Sequence, residues 1–185
     1  PALVAKSLGI TLYASLSMSK QVSLICQTCV GLLRRLRKLV PLLSFNSLRT
    51  AISAAVSSRL DYGNSLYLEL PTGLLDKLQG VQNYAARLLF RAPRSTHATP
   101  LLRRLHWLPI RQRVLYKTMC MIHKAISGAG PVFLAERLIC YQHECSLCSS
   151  SANPLRGPCF RKTTVGGRSF SVCAPTTRNA LPPSV

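Results

Sequence analysis

Acidic residues are nearly missing from this chain. Five Asp and Glu stand against 24 Lys and Arg, a formal charge of +19 over 185 residues, and none precedes Asp61 or follows Glu144. So few carboxylates exclude a two-metal phosphoryl-transfer centre, which needs several of them converging on one place. Asp61 and Asp76 lie 15 residues apart, and no Asp-Asp pair occurs anywhere. A Gly-rich phosphate loop is also lacking, because Gly166-Gly167 has neither a following Lys-Ser/Thr nor a preceding strand-loop frame. His97, His106, His123 and His143 fall into no nucleophile-base-acid grouping, and Cys120 with His123 at i, i+3 reads as a packing pair. Long hydrophobic runs are absent too. The longest uncharged stretches, Ser7–Ser19 and Gln21–Leu33, have 13 residues each and are rich in Ser, Thr and Gln. A membrane helix needs about 20 predominantly apolar residues. With no secretory signal beside them, the eight cysteines read as reduced intracellular thiols rather than a disulfide framework.

What is there bounds the class. The chain is 48% hydrophobic, too apolar for wholesale disorder and long enough to bury a core. One domain with a ragged tail is expected. The unopposed positive charge destabilises a compact state by self-repulsion unless something anionic neutralises it. Nucleic acid is the first candidate and an anionic membrane surface the second. The first 60 residues are basic, Ser-rich and acid-free, as organelle transit peptides are, but the same bias runs the length of the chain. The chain opens on Pro1 and reaches its first Met at Met18, which reads as a fragment or a processed piece.

Periodicity places the elements. Leu8–Leu12 suits a short strand. Val22, Cys26, Cys29, Leu33, Leu36 and Val40 form a heptad-like stripe on a helix from Ser19 to Leu39, capped by Ser17 or Ser19 and ended by Pro41. A second helix runs from Ser44 or Asn46 to Leu60, burying Leu48, Ile52, Ala55, Val56 and Leu60, with Gly63 as its stop. A third begins after Pro71, capped by Thr72 or Gly73 and with Asp76 in its first turn. It buries Leu74, Leu75, Leu78, Val81, Ala85, Leu88 and Leu89. The basic segment 100–109 leads to a fourth helix, with Pro109 at its first position and Gly128, Gly130 and Pro131 closing it. Phe133–Ile139 holds at most two helical turns. Residues 140–168 read as loop, Ser169–Cys173 as a short strand, and Ala174–Leu181 as a turn of helix. The expected fold is mainly α: a helical bundle with a short N-terminal strand and an irregular C-terminal tail. No internal repeat is present.

Cys26-x-x-Cys29 lies on a buried helical stripe and reads as structural cysteine, since free Cys packs as a small hydrophobe. Cys140, His143, Cys145, Cys148 and Cys159 offer one pair at zinc spacing, Cys145-x-x-Cys148, without a matching second pair. A zinc-dependent interaction module there is an alternative reading. The remaining chemistry is cationic. Arg34, Arg35, Arg37 and Lys38 end the first helix, Arg103 and Arg104 form a pair, and Arg111, Arg113, Lys117 and Lys124 line the fourth helix. In a balanced protein these would be solvated faces. Here almost no acid offsets them, and arginine suits phosphate contacts, so they are the candidate nucleic-acid-binding residues. Trp107, flanked by His106, reads as a core anchor before a base-stacking platform.

Four stretches carry a resemblance: SLGITL (7–12), SRLDYGNSLYLELPTGLLDKLQGVQNYAARLL (58–89), LHWLPIRQRVLYK (105–117), and GGRSFSVCAP followed by NALPP (166–183). In this order they resemble the carboxy-terminal part of the reverse transcriptase of LINE-type (non-LTR) retrotransposons, jockey-like and related vertebrate elements. The resemblance implies a piece of an RNA-directed DNA polymerase, non-enzymatic in itself. Residues 1–18 would end the palm, 19–139 form a helical thumb, and 140–185 the irregular region beyond. Its partners would be RNA and DNA as primer-template, together with the upstream palm and fingers of the same polyprotein. The catalytic aspartates and their Mg would belong to that upstream part, leaving no cofactor here. The grip would come from helices other than the third, whose polar side is not especially basic. The family has Asp at Tyr13, Cys at Gly63 and Trp at Arg178, and polar residues around Cys145 and Cys148. A decayed genomic copy without function, its late cysteines mutational scars, is a further reading.

Overall fold

The chain is mainly α-helical in its computed structural model, which describes residues 4–13, 17–140, 155–158 and 169–180. It divides into two units, Pro1–Arg113 and Val114–Val185.

The first unit opens with an antiparallel hairpin, β1 (Val4–Ser7) and β2 (Ile10–Tyr13), in the register Val4 to Tyr13 and Ser7 to Ile10. The strand expected at Leu8–Leu12 is therefore displaced. Leu8 and Gly9 both have positive φ, 47° and 78°, and form the two-residue turn instead. Such turns match strand twist, which is why a Leu-Gly pair there makes a hairpin rather than a continuous strand.

The first long helix, α1 (Ser19–Leu39), has the predicted extent and buries Val22, Ile25, Cys29 and Leu33. Its cap differs from expectation. Neither Ser17 nor Ser19 caps it; Met18, in the left-handed region, supplies the carbonyl that accepts from the Val22 N–H. A 3-10 turn at Val40–Leu42, with Pro41 in its first positions, ends the run.

The second helix is one continuous run in three parts: α2 (Phe45–Ile52), a π-helical turn Ser53–Ser57, and α3 (Ser58–Asp61). Ser44 caps it by accepting from the Ser47 N–H. The π turn has a readable cause. Leu48, Ile52, Val56 and Leu60 are all buried and recur every four residues. A strict α-helix of 3.6 residues per turn would carry a four-residue repeat round its surface. One wider turn restores the phase, so a single face stays in the core. Gly63, at φ 63°, takes the left-handed position after the helix, as expected. The hairpin closes over it, and a Cβ there would lie 2.6 Å from Ile10 Cδ1.

The third long helix, α4 (Thr72–Leu89), buries Leu78, Val81, Ala85, Leu88 and Leu89 as predicted, and also Gln82 and Ala86. Pro71 is its cap, its carbonyl accepting from Leu74 and Leu75. Thr72 and Gly73 are thus already helical, and Asp76 stands one residue past the first turn. The helix α5 (Ala98–Arg104) follows, then α6 (Ile110–Ile126). The Pro109 carbonyl accepts from the Arg113 N–H, so Pro109 precedes α6 rather than occupying its first position.

Polar side chains fasten these pieces. Gln21 is buried and its Oε1 accepts from the Thr11 N–H, tying β2 to α1. The Asp61 carboxylate takes a two-pronged contact from Arg113, Nε at 2.6 Å and Nη2 at 2.9 Å, with both side chains 22% exposed.

In the second unit, Ile122, Leu155 and Ala174 form a small core with Met119, Leu138 and Phe170 packed against it. The short helix α7 (Val132–Ala135) precedes β3 (Ile139–Cys140), which pairs antiparallel with β4 (Leu155–Arg156). The strand expected at Ser169–Cys173 is instead the start of a helix, α8 (Phe170–Asn179). Burial at Val172, Cys173, Ala174 and Pro175 is continuous rather than alternating, which suits a helix end laid on the core. The Asn179 amide clamps Leu155 by accepting from its N–H and donating to its carbonyl.

Candidate nucleic-acid interface

Among the described residues, several arginines gather in a groove of about 850 Å³ on the first unit, between α1 and α4. From α1 come Val30, Arg34 and Arg37, and from α4 come Gly80, Tyr84, Arg87 and Leu88. Arg91 and Arg94, on the loop after α4, complete it. Val30, Arg34, Arg37 and Pro41 repeat at 4, 3, 4, and so do Gly80, Tyr84, Arg87 and Arg91. That spacing holds Val30, Arg34 and Arg37 on one side of α1, and Gly80, Tyr84 and Arg87 on one side of α4, with Pro41 and Arg91 just past the helix ends. Gly80 has no side chain to fill the floor. No carboxylate is among the lining residues.

Local structure aims these arginines. The end of α4 is a left-handed cap in which the Ala92 N–H donates to the Arg87 carbonyl and the Arg91 N–H to that of Leu88. Arg91 takes the position, at φ 52°, that glycine usually fills. A non-glycine residue there costs on the order of 1 kcal/mol. The side chain offsets this: Arg91 Nη2 donates to the Val40 carbonyl at 2.9 Å and the Leu43 carbonyl at 3.4 Å. It thereby fastens the end of α4 to the end of α1. Arg87 Nε donates to the Thr96 carbonyl at 2.8 Å, which orients its guanidinium beside the loop. Arg34, Arg37 and Arg94 are exposed. The groove lies where α1 and α4 end, at helix termini that favour cations over anions. Attraction for an anion must therefore come from side chains.

The predicted cations separate into distinct settings. Arg34 and Arg37 enter the groove, whereas Arg35 and Lys38 are exposed on α1 outside it. Arg104 lies over the Phe90 ring, 5.0 Å from its centroid, and Phe90 in turn contacts Phe45. Arg103 and Arg111 line a second cavity with Trp107. Arg113 is committed to Asp61. Lys117 and Lys124 belong to the second unit. Sequence reasoning missed Arg87, Arg91 and Arg94, having taken the polar side of α4 as weakly basic. The signal was present in the Gly80-Tyr84-Arg87-Arg91 spacing, whose last arginine falls just past the helix end.

The cysteines offer little for metal binding in the described parts. Cys29 is buried and its thiol is pushed up to about 11 by burial, with Arg59 partly opposing. Burial likewise raises Cys26. A site that favours the thiol over the thiolate opposes metal ligation. Among the described residues no group of three His, Cys, Asp or Glu is placed to hold a metal ion. His143, Cys145, Cys148 and Cys159 lie outside those residues. No described helix is long and apolar enough to cross a membrane.

Compared with protein-family models, with curated proteins and with solved structures, the chain finds no match.

Proposed function

We propose that this chain binds nucleic acid through its phosphate backbone, using the arginine groove between α1 and α4, and that it does so as the thumb-side part of a LINE-type reverse transcriptase. The observation that carries the binding is the groove itself: five arginines from α1, α4 and the following loop, with no carboxylate among its lining residues. Arginine's planar fork suits phosphate oxygens, and contacts of this kind fix position without reading sequence. The polymerase context rests on the resemblance of 7–12, 58–89, 105–117 and 166–183 to that family, and the mainly helical fold is consistent with it. In this reading the chain supplies grip on RNA–DNA primer-template, and chemistry belongs to the palm.

The test is binding of an RNA–DNA hybrid, a DNA duplex and single strands of unrelated sequence, across ionic strength. The proposal expects similar affinities for unrelated sequences and a steep fall with salt, because released counterions drive such binding. An affinity that barely changes between low and moderate salt would overturn it.

A further inference from the structure

The second cavity, about 440 Å³, lies on another side of α4 and is built differently. Thr72, Asp76, Gln79 and Asn83 recur at i, i+4, i+7 and i+11, so one face of α4 forms one wall. Arg103, Trp107 and Arg111 face it from α5, the following turn and α6 in that order. A cavity of this size is within the range that holds a small organic ligand.

Its parts are not equally free. The Gln79 amide is used up: Oε1 accepts from the Ile110 N–H at 2.8 Å, and Nε2 donates to Gln82 Oε1 at 3.0 Å and Asn83 Oδ1 at 2.8 Å. Buried Gln82 donates onward to the Leu108 carbonyl at 2.9 Å. These bonds make a fixed wall of α4 and the turn before α6. Asp76 is exposed and, among the described residues, forms no ion pair with Arg103 or Arg111. Its two oxygens remain available to a ligand.

Trp107 is half-buried rather than sunk in the core. Its position is set by a left-handed cap at the end of α5, where the Trp107 N–H donates to the Leu102 carbonyl and the His106 N–H to that of Arg103. His106 takes the left-handed residue at φ 55°. A planar aromatic ring, a free carboxylate and two arginines thus line one cavity.

We propose that this cavity is a guanine-selective nucleotide site, with the base stacked on Trp107, its N1–H and N2–H donated to the Asp76 carboxylate, and its phosphate taken by Arg103 and Arg111. The selectivity follows from donor geometry. Guanine presents two adjacent parallel N–H donors, which match the two oxygens of a carboxylate. Adenine and cytosine place an acceptor nitrogen beside their single amino group, and uracil flanks its N3–H with two carbonyls. Each would set a lone pair against Asp76. Stacking on Trp107 is tolerant of base identity and supplies affinity rather than choice. The inference extends the nucleic-acid reading and rests on it in taking the nucleotide to be an unpaired residue of a bound strand.

Trp107 is the chain's one tryptophan, so its fluorescence reports on this cavity. The full chain is titrated with GMP, IMP, AMP, CMP and UMP, with inorganic phosphate as competitor. GMP should quench saturably and bind about tenfold or more tighter than AMP, CMP or UMP, as expected for one two-pronged base contact. IMP, which keeps N1–H and lacks the 2-amino group, should fall between. D76A should abolish the preference while leaving oligonucleotide binding in the arginine groove, followed by anisotropy, intact. Equal quenching by all five nucleotides, a GMP preference retained in D76A, or displacement by phosphate as effective as by GMP would each overturn the proposal. Absence of a guanine preference in the unmodified chain, with salt-sensitive oligonucleotide binding intact, rejects the cavity alone. Absence of both in the unmodified chain rejects the nucleic-acid reading with it.

Discussion

Removing Arg34 and Arg37 together tests whether charge acts through the groove or merely through the net charge of the chain. Arg34, Arg37 and Arg94 are exposed, while Arg87 and Arg91 each spend part of their guanidinium on backbone carbonyls. Counting the first three fully and the last two as one more gives about four neutralised phosphates. On a duplex this corresponds to a slope of about −3.6 in log affinity against log salt, or a loss of roughly 100-fold between about 50 and 200 mM. R34Q/R37Q should lower the slope to about −1.8, leaving a loss of roughly tenfold over the same interval. The control is R35Q/K38Q. It removes the same charge from the same stretch of α1, at exposed positions outside the groove. Both variants lose cations near a helix C-terminus, at a cost of about 0.3–1 kcal/mol each, so circular dichroism should show unchanged helix content. Anisotropy titrations at several salt concentrations read the slopes. Equal slope changes in the two variants would refute the groove as the site and leave only diffuse attraction.

Three further outcomes concern the fold that holds the groove. D61N removes the charge facing Arg113, leaving a guanidinium only 22% exposed without its carboxylate. It should cost about 1.5–3 kcal/mol in chemical denaturation, and D61N/R113Q should recover part of that; an unchanged midpoint for D61N would refute the structural role. G63A should destabilise by more than about 1 kcal/mol from its left-handed backbone alone, and further because its Cβ would meet Ile10 Cδ1 at 2.6 Å. Since valine lacks that Cδ1, I10V in the G63A background should be less costly than I10V alone, and strict additivity would show that the hairpin does not press on Gly63. Cys29 is raised to about 11 in the folded state, so its thiol holds its proton more tightly folded than unfolded. Its contribution is complete below the ordinary thiol value and is lost as pH rises through the folded one. Stability should therefore fall between about pH 9 and 11, less so in C29A; a C29A profile parallel to wild type would refute the assignment. Tyr67, raised to about 12 mainly by burial, adds a separate fall above its ordinary range.

Local pattern was legible wherever a helix buries one stripe. The extents of α1, α4 and α6 follow from apolar spacing, because helical periodicity is written in nearest neighbours along the chain. Ser44 was legible as one of two possible starts of the second helix, and the structure makes it the cap, its side chain acting on its own turn. Met18 and Pro71 were not, because there the backbone carbonyl begins the helix without side-chain help. The strand expected at Leu8–Leu12 was misplaced, and the hairpin missed, because Leu8 belongs to a left-handed turn while looking like a strand residue. Ser169–Cys173 looked like a strand because a short helix end buried on several sides shows no clear period.

The candidate site divides along the same line. Positive charge, the near absence of acids and the helical spacing of Arg34 with Arg37 are properties of the chain as written. They favour attraction for anions whatever the fold does. That Arg34 and Arg37 share a groove with Arg87, Arg91 and Arg94 is a tertiary fact, since about fifty residues separate the two sets and only the packing of α1 on α4 unites them. Arg113 shows the converse. It stands among cations in the sequence, and the fold gives it to Asp61. Unlike helix periodicity, which needs only neighbouring residues, the pairing of charges depends on distance through space. Composition could predict attraction for anions, but only the packed helices could decide which arginines remain to meet one.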